Sequence, residues 1–486
     1  MGKEILNLEP KALWKHFYSL TQIPRPSKHE EACIAFMKKF GEDLGLETVV
    51  DPVGNVIIRK PATAGMENRK GIVLQGHLDM VPQKNSDKAH DFVKDPIETV
   101  IDGEWVRANG TTLGADNGMG VAAAMAVLEA TDLQHGMVEA LFTIDEETGM
   151  TGAFGLQPGY LKGDILMNLD SEDEGELYIG CAGGTNANVS FKYNEVSVPA
   201  GYIACKLNIT GLKGGHSGVD IHLGRGNANK IMNRFLKETA NEFALMLATL
   251  NGGSLRNAIP RESFAVVCIP AAKKDAFMAK LAEFEAIVRK ELSAVEPDLK
   301  MEAVAAEMPA KVMDAKAQKT FTDAIYACPN GVVRMSNEME GLVETSNNLA
   351  IIEVKAGVAT ALCLLRSSVD SAKADLESQI ESVFHLANAE ITFDGQYPGW
   401  KPNPKSPILE KMLDIYNNKF GKIPKIYAIH AGLECGLLGG VYPNWDMISF
   451  GPTIRFPHSP DEKVNIESVN KFWEFLVETL KNVPAK

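Results

Sequence analysis

Three apolar runs in this 486-residue chain end in side chains able to bind a cation or move a proton. GIVLQGHLDM (Gly71–Met80) ends in His77 and Asp79, VEALFTIDEETG (Val138–Gly149) in Asp145, Glu146 and Glu147, and DILMNLD (Asp164–Asp170) in Asp170. Carboxylates crowded at the end of a buried strand repel one another and are costly to desolvate, so they invite either full solvation or a bound cation. Residues two apart on a strand point to the same side, which brings His77 and Asp79 together. A carboxylate beside an imidazole fixes the tautomer that a metal-ligating histidine needs. Asp116 opens an Ala-rich helix, Asn117 to Ala130, where local rules make it the N-cap. His458 lies in FPHSPDE, where neighbouring prolines hold the backbone. Zinc takes imidazole nitrogen and carboxylate oxygen, and a pair of ions about 3.5–4 Å apart needs a bridging ligand such as a carboxylate. Two histidines and three acids are enough to hold such a pair, with acids left over for proton transfer.

Other chemistries lack their residues. No G-x-S-x-G, H-E-x-x-H or P-loop is present, and the H-E-x-x-H match opened by His29-Glu30 fails at Cys33. Gly118 to Ala123 fits the dinucleotide pattern G-x-G-x-x-A, but RANGTTLGAD before it is no strand and Asp116 would face the pyrophosphate. Asp170 to Gly175 resembles a calcium loop whose twelfth position, Cys181, is not an acid. Sixty-three acidic against 49 basic residues, a net charge of −14, argue against nucleic acid or an anionic membrane as partner. No apolar run reaches the roughly 20 residues of a membrane helix, and the N-terminus lacks a signal-peptide core, so a cytoplasmic location is expected. Seven scattered cysteines without C-x-x-C spacing read as reduced core thiols.

The elements that must place these groups read as an α/β protein. Buried strands alternate with helices, and the C-terminal ends of parallel strands share one edge of a sheet, where ligands bind. A hairpin is expected at Thr48–Lys60, turning at Pro52-Val53-Gly54-Asn55. From about Thr185 the pattern becomes β-rich, with a helix over Asn227–Ala248, a strand SFAVVCIP, a helix over Lys273–Val295 and a strand LKMEAVAAE. A similar order returns from NNLAIIEVKAG to AEITFDG, as in an internal repeat. The Pro-rich YPGWKPNPKSP marks a return to the first sheet, with a helix at Ile408–Phe420, strands KIYAIHAGLECG and DMISFGPT, and a last helix at Ile466–Lys481. The expected organisation is a di-metal domain of residues 1–185 and 399–486, with an inserted α/β domain at 186–398.

His77-Leu78-Asp79, Gly114-Ala115-Asp116-Asn117-Gly118, Asp145-Glu146-Glu147-Thr148-Gly149, Asp170, Gly214-Gly215-His216-Ser217-Gly218 and Pro457-His458-Ser459-Pro460 occur in order along essentially the whole chain. Together they resemble the co-catalytic zinc peptidase family of aminoacylases, carboxypeptidase G and carnosinases. That resemblance implies a mixed sheet sandwiched by helices, with the insert as a lid and dimerisation domain. It implies that Asp116 bridges two divalent ions, zinc with cobalt or manganese as alternatives, that His77 and Asp170 complete one site, and that Glu147 and His458 complete the other. Glu146 would be general base toward the water that the ions activate and then acid to the leaving amine, Asp79 would orient His77, and the Asp116–Asn117 peptide would be cis. His216 would donate to the oxyanion, Arg366 would hold a substrate carboxylate, and Asn347, Asn348 and Glu434 would line the pocket. The implied activity is hydrolysis of dipeptides, Xaa-His among them, by a homodimer. An N-acyl-amino-acid deacylase would use the same site; a metal-storage scaffold would have no use for an extra acid at Glu146.

Overall fold

A computed structural model describes residues 2–486. They form two compact units: the chain through Gly180 with Pro402–Ala428 and Leu433–Lys486, and Cys181–Lys401 with Ile429–Gly432.

The first unit is built on a mixed eight-stranded sheet. Its strands Val138–Thr143, Ile72–His77, Ile165–Asn168 and Asp446–Ser449 lie side by side and parallel. The first three are buried along their whole length, which is why they read as mostly apolar runs and not as alternating ones. Glu47–Val50 and Val56–Lys60 form the expected hairpin, added antiparallel to the Val138–Thr143 strand. The register sets His77 opposite Thr143 and Gln75 opposite Asn168, so the three strands finish at one edge. The helix Ala115–Glu129 is apolar and buried nearly all round, as a helix enclosed by its own domain must be. A separate antiparallel sheet orders Ile454–Arg455, Lys463–Asn465, Trp105–Ala108 and Thr99–Asp102. Its first two strands make a hairpin whose tip carries His458.

The second unit holds a nine-stranded antiparallel sheet. Its core is rich in phenylalanine, with Phe235 against Phe277 and Phe284, and Phe243 against Phe277. The α/β class with a mixed sheet, read from the sequence, is the class of the fold.

Two expected elements differ. The helix expected over Asn227–Ala248 is Ala228–Thr239, capped by the Asn227 side chain, and Met246–Gly252 is a strand paired with Ser263–Pro270. A run as apolar as LMLATL suits either state, and the cross-strand partner decides. The strand expected through HAGLECG stops at Ile429, and Glu434 opens the helix Glu434–Val441. All seven cysteines are buried, none in a disulfide among the described residues. No described helix is long and apolar enough to cross a membrane.

Candidate metal centre

His77 is the last residue of its strand, and Asp79 lies two beyond. Asp145 takes a left-handed backbone (φ 51°) that ends the Val138–Thr143 strand and turns Glu146 and Glu147 into a short helix. Asp170 follows the third strand, and His458 comes in from the hairpin tip. In space these residues form overlapping groups whose ligand atoms lie within 4.8 Å of one another: His77, Asp116 and Asp170; Asp116, Glu147 and His458; and His77, Glu146 and Glu147.

Asp116 joins the first two groups. Its Oδ1 is 3.1 Å from Nε2 of His77 and its Oδ2 3.2 Å from Nε2 of His458. Nε2 of His77 is also 3.4 Å from Asp170, and Nε2 of His458 is 3.0 Å from Glu147. Asp116 is not the N-cap: Gly114 holds that place in a left-handed conformation, no side chain there caps the helix, and Asp116 and Asn117 depart from helical geometry. The local rule fails because the carboxylate is turned to the histidines. The peptide between Asp116 and Asn117 is cis, as the resemblance implied.

Asp79 is fully buried, with Oδ1 3.3 Å from Nδ1 of His77. Burial opposes its charge, but His77 and the amide of Glu146 hold its pKa down to about 2. Burial also works against an imidazolium at His77, yet Asp170, Asp116 and Asp79 keep its pKa well above the ordinary value. Hydrogen bonds to Asp116 and Glu147 raise His458 to about 11.

Five carboxyls move the other way. Burial first, and then their negative neighbours, push Asp170 up to about 7, Glu172 to about 8, Glu434 to about 7, Glu462 to about 7 and Glu146 well above its ordinary value. Buried oxygens of Glu147 (Oε1) and Glu434 (Oε1) accept no hydrogen bond. So much buried acid with unspent acceptors is a centre short of positive charge, and a divalent cation supplies it. Imidazole nitrogen with carboxylate oxygen is a donor set that zinc accepts, as do manganese and cobalt. The residues present fit a pair of such ions.

Sequence reasoning missed the braces. Arg25, buried in the segment read only as a Pro-rich break, donates to the carbonyls of Leu78, Asp79 and Gly114. Ser27 donates to Asp79, and Glu30 accepts the amide of Asp145. A run of charged and hydroxyl residues between two helices, RPSKHEE, is the signal that could have marked them. Gln75 and Thr143 both donate to Oε2 of Glu434, which is thereby a buried acid of the first unit beside the metal centre.

His216, Arg366 and Asn347 belong to the second unit. Nδ1 of His216 accepts the amides of Gly218 and Val219, both at 3.2 Å, so the neutral ring carries its proton on Nε2. Burial, helped by Arg366 and opposed by Asp220, lowers its pKa and keeps the ring neutral. Arg366 is 5% exposed and donates to the Tyr397 hydroxyl at 3.2 Å. Arg366 pairs across the sheet with Ser346, so strand alternation puts Asn347 on the opposite face. Asn347 is fully buried and donates to the Pro329 carbonyl; it stands apart from Arg366, whereas Asn348 shares that residue's face. His430, another residue the sequence reading passed over, shares a 2.7 Å hydrogen bond with Ser346 and is buried near Arg366 and His216.

Fold and site together define a hydrolase centre suited to two metal ions, and residues 73–482 match the model of peptidase family M20/M25/M40; the chain belongs to this family of peptidases. It is 49% identical over 485 residues to the cytosol non-specific dipeptidase of Escherichia coli (strain K12), covering 99% of this chain and 100% of that one. Among solved structures, the aminoacylhistidine dipeptidase of Vibrio alginolyticus is 51% identical with a TM-score of 0.96, each chain covered in full. The aminopeptidase PepT of Bacillus cereus, at 17% identity and a TM-score of 0.61 over 98% of this chain and 99% of that one, shares the fold. The family resembled by the sequence motifs is the family to which the chain belongs.

Proposed function

We propose that this peptidase is a metal-dependent dipeptidase that cleaves a broad set of dipeptides, Xaa-His among them, in the cytoplasm and as a homodimer. The observation that carries the reading is Asp116, whose two oxygens face two separate histidine-and-acid groups; full-length similarity to two dipeptidases supports the substrate class.

His77, Asp116 and Asp170 would hold one ion, and Asp116, Glu147 and His458 the other. Bound there, zinc, manganese or cobalt supplies Lewis acidity and lowers the pKa of water. Glu146 would take the proton of the attacking water and return it to the departing amine; its raised affinity for a proton suits a group that must hold one between the two steps. Asp79 holds His77 from behind while its oxygens accept the amides of Glu146 and Glu147. Nε2–H of His216 would donate to the oxygen that gains charge at the scissile carbonyl, the role that the resemblance implies. Arg366 would take the peptide's terminal carboxylate, since a planar guanidinium matches two oxygens. We assign metal binding to the unit made of the chain through Gly180 with Pro402–Ala428 and Leu433–Lys486, and recognition and dimerisation to that of Cys181–Lys401 with Ile429–Gly432.

The test is a panel of dipeptides, tripeptides and acetylated amino acids, assayed before and after metal removal, together with elemental analysis. Dipeptides should be cleaved best, with activity lost to chelation and restored by zinc, manganese or cobalt. Faster cleavage of acetylated amino acids, or full activity without metal, would overturn the proposal.

A further inference from the structure

Glu462 lies in the same hairpin tip as His458, and its side chain is 2% exposed. Its Oε2 accepts the amides of Leu113 at 2.7 Å and Gly114 at 2.9 Å; its Oε1 accepts those of Ala115 at 2.7 Å and Asp116 at 3.2 Å. One carboxylate thus serves four consecutive amides at the start of the helix that carries Asp116. Those are the amides that no neighbouring side chain caps, and the positive end of a helix favours an anion there.

The other end of the connection is equally constrained. His458 and Phe456 have φ of 59° and 55°, a region that non-glycine residues keep only where surrounding structure holds them. The tip is tied by the amide of Glu462 to the Ser459 carbonyl at 2.9 Å and by that of Asp461 to the Ser459 hydroxyl at 3.2 Å. Directly after it, Lys463–Asn465 pairs with Trp105–Ala108. With Glu462 fixed against Leu113–Asp116, the short turn back to His458 fixes where that imidazole meets Asp116.

We propose that Glu462 is a positioning residue: it sets the separation of Asp116 and His458 and so the affinity of the ion position these two share with Glu147. This rests on the two-ion reading above. Residues that orient ligands from behind typically change metal affinity about 10–100-fold when removed, and the loss should fall on the position completed by His458.

The experiment titrates metal-stripped wild type, Glu462→Gln and Glu462→Ala with zinc, reading stoichiometry by elemental analysis and affinity by calorimetry. Gln keeps the size and one accepting oxygen but turns an NH2 group toward one pair of amides. Wild type should bind two ions. Both variants should keep one ion at wild-type affinity and bind the second about 10–100-fold more weakly, Ala more so than Gln. With a dipeptide, kcat should fall at limiting zinc and recover at high zinc while KM stays unchanged. A role in folding alone would lower the melting temperature and leave both affinities as they are; a folded Glu462→Gln protein that binds both ions as wild type does would overturn the proposal. Wild type that binds no zinc would instead remove the two-ion reading beneath it.

Discussion

Oδ1 of Asp79 accepts the backbone N–H of Glu146 at 3.0 Å. The same carboxylate lies behind His77, and its other oxygen accepts from Glu147 and from the Ser27 hydroxyl. His77 and Glu147, both proposed ligands, and Glu146, the proposed base, therefore share one buried anchor. Asp79→Asn keeps the size but turns an amide group toward donors, so kcat/KM and zinc affinity should each fall about 10–100-fold. Steady-state kinetics alongside zinc titration measures this; unchanged values for both would reduce Asp79 to a space-filling role.

Glu146 sits among His77, Asp170, Glu434 and Glu147, where burial makes its charge costly. Glu146→Gln removes the proton acceptor and leaves the five proposed ligands in place. Its kcat should drop about 10²–10⁴-fold, the usual contribution of a positioned acid–base group, with two ions still bound. Elemental analysis of the purified variant beside its turnover rate checks both halves, and wild-type turnover would remove the role.

The strand-borne parts of this centre were legible because a buried parallel strand is a continuous apolar run and its last residues stand out by polarity: His77, Glu146, Glu147 and Asp170 all announce themselves so. Asp116 was harder. A local rule made it a helix cap, while the true acceptor for those amides is Glu462, 346 residues away from Asp116, and no local rule sees that far. Arg25 was obscured for the same reason, since it acts through contacts remote in sequence. For the TSNN segment the alternation rule was available: it separates Asn347 from Asn348, but only once the pairing of Ser346 with Arg366 supplies the register.

Arg366 is nearly buried, with one donor spent on Tyr397 and Nε without a partner. A buried guanidinium with donors to spare is suited to a carboxylate ligand, and Lys in its place offers a point charge without the fork. A hydrogen bond to a charged group is worth about 1.5–3 kcal/mol, so Arg366→Lys should raise KM for dipeptides roughly 10–100-fold. Dipeptides amidated at the C-terminus should lose far less, since they lack the charge that Arg366 is proposed to read. Equal losses on both substrates would reassign the residue.

Burial, reinforced by Arg366 with His216 and His222, lowers the pKa of His430 from 6.5 to about 3. The sign follows from which state takes the proton. Above pH 6.5 both folded and unfolded chains carry a neutral ring, and the stability is complete. As pH falls below 6.5 the unfolded chain gains a proton that the folded chain refuses until about pH 3, so stability is lost across that window at up to about 1.4 kcal/mol per pH unit. Between pH 7 and pH 5 this group should cost the wild type about 2 kcal/mol, a loss that His430→Asn, which keeps a polar partner for Ser346 but cannot titrate, should not share. Urea unfolding of the two proteins at both pH values reads the difference directly, and parallel pH dependences would show that the ring of His430 takes up its proton in the folded chain as readily as in water.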